Sequence, residues 1–170
     1  GPASRRAFAW AAAAALAAWV VMPAWQLRPW TATSPAWTEL ALARWIRTHA
    51  PAAALATYDV GIVPYFSRAP RVVDIGAQGL LNPDVARHGY DVGAILVASP
   101  DIVLLPPPED LTHPDDPVAR LSSDDRFRNS YAPLATVTIV DDYRLTVYVR
   151  DAAAVGDDGL QAIQALAESS

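Results

Sequence analysis

The 170 residues contain no cysteine and no lysine, and methionine occurs once. A chain without cysteine has no disulfide, no thiolate metal site and no cysteine nucleophile, and it leaves the redox compartment open. Glycine is sparse at eight residues, and Gly76-x-x-Gly79 lacks the third glycine and the long following helix of a phosphate-cradling loop. Histidine is limited to His49, His88 and His113, too widely spaced for paired metal ligands, so neither a metal nor a cofactor is expected. No Gly-x-Ser-x-Gly surrounds Ser67, which argues against a hydrolase triad with His88 and Asp74. Basic stretches are missing as well. All thirteen basic residues are Arg; beyond residue 30, ten of them face eighteen acids, a formal −8. Such a surface repels phosphate backbones, which excludes nucleic acid as a partner.

Apolar residues make up 52% of the chain, enough for one membrane segment plus one domain with a core. The start, Gly1-Pro2 without Met, reads as the scar of a cut-out piece, so residues 1–6 are assigned as scar and cytoplasmic flank. Residues 7–25, AFAWAAAAALAAWVVMPAW, carry no charge. At about 1.5 Å per residue they approach the ~30 Å of a bilayer core. A buried helix or a signal-peptide core would share this composition, but a signal peptide should end in small residues, and this run ends Met22-Pro23-Ala24-Trp25. Arg5-Arg6 before the run marks the cytoplasmic side, which puts everything after about residue 30 outside the cell membrane, with membrane lipid as a partner. Alanine-rich helices anchor poorly alone and pack well in bundles, so a larger multi-helix parent is expected.

A linker at 26–33 leads to an extracytoplasmic domain at 34–170. Ser34-Pro35 opens a helix to about His49, with Trp37, Ala41 and Trp45 as its apolar stripe, Leu42 and Ile46 beside it, and Glu39, Arg44 and Arg47 elsewhere. Strands are predicted at 53–58, 71–74 and 102–105, the last buried on both faces. The stretch 59–67 reads as a turn that includes Pro64-Tyr65-Phe66-Ser67, and short helices are expected at 82–87 and 91–98. Residues 109–116 read as an acidic surface loop. A hairpin at 134–140 and 144–150, turned by Asp141-Asp142-Tyr143, and a final helix at 158–168 complete the order. This predicts an α/β or α+β domain, a small mixed β-sheet with packed helices, preceded by one transmembrane helix. Asp59 and Asp74 both end strands, where they can form an acid/base pair or, more commonly, cap the turns that follow.

The helix containing Leu42-Ala43-Arg44-Trp45-Ile46-Arg47 is followed by Asp59-x-Gly61-x-x-Pro64-Tyr65-Phe66-Ser67, Val72-Val73-Asp74, Gly79-Leu80, Asn82-Pro83-Asp84-Val85-Ala86-Arg87 and Pro100-Asp101-Ile102-Val103-Leu104-Leu105. Over residues 38–105 this resembles the C-terminal extracytoplasmic domain of multi-spanning, C-type-fold membrane glycosyltransferases, protein mannosyltransferase-like or arabinofuranosyltransferase-like, which use polyprenyl-phosphate sugars. Gly76-Ala77-Gln78 departs from the family pattern. The resemblance implies a non-catalytic cap, because the family's catalytic acid sits on an early loop between membrane helices that has no counterpart here. It also implies a glycan acceptor and a polyprenyl-phosphate sugar donor as partners of the whole enzyme. Asp59, Tyr65, Phe66 and Asp74 become the candidate substrate-binding residues, since aromatic faces stack on sugar rings and carboxylates accept hydroxyl hydrogen bonds. The alternative is a membrane-anchored structural or binding module of the cell envelope with no enzymatic role.

Overall fold

The computed structural model describes residues 35–76, 92–111 and 116–170. The apolar run at 7–25, its linker, the helix expected at 82–87, His88 and His113 lie outside the described residues. Among those described, no helix is long and apolar enough to cross a membrane.

Helix α1 (Pro35–His49) leads to strand β1 (Leu55–Thr57), helix α2 (Ile62–Ser67) and strand β2 (Val72–Asp74). Helix α3 (Val92–Ala98) precedes strand β3 (Ile102–Leu105), and a single 3-10 turn at Pro108–Asp110 follows it. Two short helices, α4 (Pro117–Ser123) and α5 (Asp125–Ser130), precede the hairpin of β4 (Ala132–Val140) and β5 (Tyr143–Val149). After a second 3-10 turn, α6 (Gly156–Ser169) closes the chain. The sheet order is β2-β1-β3-β5-β4. β1 runs parallel to β2 and β3, and β5 runs antiparallel to both β3 and β4. The fold is mixed α/β, as the order of elements predicts.

Period-two alternation divides the core into two layers. Leu55, Ile102, Leu104, Leu145 and Val147 point to one face and pack with Leu42 and Ile46 of α1, Val63 of α2 and Ile163 of α6. Ala56, Val73, Val103, Leu105 and Tyr148 point to the other and meet Ile95 of α3, Leu121 of α4 and Phe127 of α5. β3 is therefore buried at all four positions, the pattern of a central strand covered on both sides.

Two local expectations are corrected, and two helices are added. The buried stripe of α1 is Glu39, Leu42, Ala43 and Ile46, together with Trp45, whereas Trp37 stands in solvent. The helix faces both the sheet and α6, and it is fixed in rotation where the Trp45 indole Nε1 donates to the Gly159 carbonyl at 2.8 Å. Residues 62–67 form a helical turn, closed by Arg68 in the left-handed region at φ 57. Residues 117–130, to which the sequence reading gave no element, form two capped helices. Asp116 accepts from the Val118 amide at 2.8 Å and Asp124 from the Arg126 amide at 2.9 Å, each closing an N-terminus.

Candidate functional site

Parallel β1, β2 and β3 bring three carboxyl ends to one edge of the sheet, and antiparallel β5 starts there. From β1 the chain connects to β2 on one side and, later, β3 takes the place on the other side. The crevice outside such a switch point is where open α/β sheets bind ligands.

Asp59 stands just past β1 at this edge. Its Oδ1 accepts from the Gly61 amide at 2.9 Å, capping the turn into α2, and its Oδ2 accepts from the Tyr143 hydroxyl at 3.4 Å. The Thr57 hydroxyl donates to the Asp59 carbonyl at 2.7 Å, fixing the backbone of the same turn. Tyr143, read from sequence as part of the hairpin turn, is the first residue of β5 and reaches across 84 positions of sequence to meet Asp59. Glu39 joins them from the second turn of α1. It is buried, and among the described residues it makes no hydrogen bond or ion pair. Burial first, and then the charge of Asp59, raises the Glu39 carboxyl above its ordinary value. Burial likewise pushes the Tyr143 phenol far up, reinforced by the charges of Asp59 and Glu39, so it stays a neutral donor at any ordinary pH. Beside them Arg144 pairs with Asp110 at 2.6 Å and Glu109 at 3.3 Å.

Two carboxylates and a phenol thus share one edge, Glu39 buried and the Asp59 oxygen reached by Tyr143 only at 3.4 Å. A carboxylate such as Asp59 can accept hydrogen bonds from ligand hydroxyls. Among the described residues, no set of three or more His, Cys, Asp or Glu side chains could hold a metal.

Asp74 has the capping role. It is buried at the end of β2, and its Oδ1 accepts from the Gly76 amide at 2.8 Å. A Cβ on Gly76 would stand 2.8 Å from the Tyr58 carbonyl, so this turn is closed too tightly for any other residue. Tyr65 and Phe66 are both exposed on α2 and pack edge to face, with ring centroids 5.0 Å apart. Ser67 is buried, donating to the Pro64 carbonyl at 3.1 Å and accepting from the Ala69 amide at 3.4 Å, so it ends a helix and is not presented as a nucleophile.

Sequence reasoning missed Glu39 and Tyr143. Glu39 had a signal, since it lies three and four residues before Leu42 and Ala43 and so shares their helix face. Tyr143 had none, because only the pairing of β5 with β3, beside β1, brings it to Asp59. At the opposite edge of the sheet, a cavity of about 400 Å³ is lined by His49, Pro51, Asp101, Arg150, Asp151 and Val155 among others, and Asp101 pairs there with Arg150.

A family model described as a domain of unknown function, DUF8728, matches residues 25–151. The chain belongs to that family. The match takes in all five strands of the DUF8728 domain and the whole Glu39–Asp59–Tyr143 edge, and it stops before α6. No curated protein and no solved structure matches the chain.

Proposed function

We propose that this DUF8728 chain is the extracytoplasmic part of a membrane glycosyltransferase using a lipid-linked sugar donor, and that it holds the acceptor glycan without catalysing transfer. The observation that carries the reading is the grouping of Asp59, Glu39 and Tyr143 where the parallel strands end, a set of hydroxyl-binding groups at the edge where α/β sheets take ligands. The resemblance over residues 38–105 supplies the enzyme class. Asp59 and Tyr143 make the glycan contacts in this reading, Asp59 as acceptor and Tyr143 as donor. Asp74, buried and bound to Gly76, supports the fold instead.

The test is calorimetric titration of the full chain in detergent with mannose- and arabinose-containing oligosaccharides. Saturable binding that disappears in Asp59→Asn, with an unchanged circular dichroism spectrum, is the expected result. Absence of binding to every glycan by a folded chain shifts the assignment to the structural module of the cell envelope. That second reading draws on the turn-capping bonds of Asp59 and Asp74, which serve a scaffold equally well. Sugar transfer by this chain alone would overturn its non-catalytic role.

A further inference from the structure

Large hydrophobic side chains exposed among the described residues are four: Trp37 on α1 at 57%, Tyr65 and Phe66 on α2 at 79% and 45%, and Val97 on α3 at 85%. Three of the four, all aromatic, fall on the two helices that pack against one another in the first layer. Tyr65 and Phe66 touch one another in solvent, and adjoining exposed aromatic rings of this kind mark a contact surface.

We infer that the adjoining Tyr65 and Phe66 rings of α2, with Trp37 of the neighbouring α1, seat the domain in the interfacial region of a lipid bilayer. The inference rests on the reading of the chain as membrane-attached and deepens it by naming the surface that meets lipid. Trp and Tyr are the side chains that concentrate at membrane interfaces, where a ring sits among headgroups while its polar atom stays hydrated. The sequence argues for the bilayer as the occupant: the uncharged run 7–25 and Trp25 and Trp30 lie directly upstream of α1. Only nine residues, 26–34, separate that run from the helix carrying Trp37, a span of at most roughly 30 Å. A sugar platform is disfavoured at this face. Tyr65 and Phe66 pack edge to face at 78°, so one ring face is already occupied by its neighbour. Attraction to anionic lipid is not required, because the chain is acidic beyond residue 30.

The absence of cysteine makes the test direct, since an introduced thiol is unique. Full-length chain carrying Tyr65→Cys or Val97→Cys is labelled with an environment-sensitive fluorophore and reconstituted in phosphatidylcholine vesicles, with flotation confirming attachment. The expected result is a blue-shifted label at position 65 that is quenched by nitroxide lipid, while the label at 97 remains water-like. The shift at 65 should be lost when Trp37→Ala and Phe66→Ala are added, both being exposed sites whose removal leaves the core intact. Vesicle-bound chain with a water-like label at 65 overturns the docking face while leaving membrane attachment standing. Chain that fails to float overturns both. A label at 65 that responds to oligosaccharide and not to vesicles assigns the face to sugar stacking and overturns lipid docking.

Discussion

Glu39 is buried without a hydrogen-bond partner among the described residues, and this costs stability whenever its carboxyl is ionised. Because burial and Asp59 raise its folded-state value, the folded protein holds this proton more tightly than the unfolded chain does. Below the ordinary carboxyl value of 4.5 both states are protonated and no penalty exists; as pH rises from there through the folded value, the penalty develops in full. Glu39→Gln, which keeps the shape and removes the charge, should therefore melt higher than the parent near neutral pH, with the gap closing below 4.5. A gap independent of pH, followed by calorimetry, would contradict this origin. Asp59 acts in the opposite sense. Asp59→Ala removes the cap on Gly61 and the partner of Tyr143, and should cost about 1 kcal/mol in urea denaturation. Ultraviolet titration of Tyr143 in that variant should show its phenol moving only part of the way down, because burial is the larger cause.

At the scale of the element, α6 is positioned against α1 by a missing side chain. A Cβ on Gly159 would stand 2.5 Å from Val155 Cγ1 and 3.0 Å from His49 Cβ, and the Gly159 carbonyl receives the Trp45 indole. Helix propensity alone favours alanine here by about 1 kcal/mol. The contact with His49 Cβ, held to the backbone, outweighs it, so Gly159→Ala should destabilise by about 1–3 kcal/mol and lower the urea midpoint. Arg68 gives the reverse case. It is exposed and closes α2 at φ 57, where a side chain is strained and glycine is not. Arg68→Gly should raise the midpoint by roughly 0.5–1 kcal/mol. Most elements were legible at this scale: Pro35 at the start of α1, the continuous apolar β3 and the hairpin carry strong local signals. Helices α4 and α5 were not, being six or seven residues long and marked only by Asp116 and Asp124. Asp124, bridged by Arg126 through side-chain hydrogen bonds and held down to about 2, remains an ionised cap at every physiological pH.

For the described domain as a whole, β3 belongs to both layers of the core. Leu104 packs on the α1/α6 side and Leu105 on the α3/α5 side, each fully buried. Truncating either to alanine should cost about 2–5 kcal/mol. Since one strand ties the layers together, both variants should still unfold in a single transition. Indole fluorescence, with Trp45 in one layer, and far-ultraviolet circular dichroism should give coincident curves. Separated curves would mean the layers unfold independently.

The sequence by itself determined the fold class, most of the elements and the absence of cysteine chemistry, because periodicity, caps and composition are local properties. It also placed Asp59 and Asp74 at strand ends, and named capping as the commoner role for aspartates there. Only the tertiary structure decided which carboxylate faces a partner across the sheet. The rotation of α1 buries Glu39 and exposes Trp37, and antiparallel β5 delivers Tyr143 to Asp59. Such choices depend on how helices and strands distant in the chain pack together, and no local pattern encodes that packing.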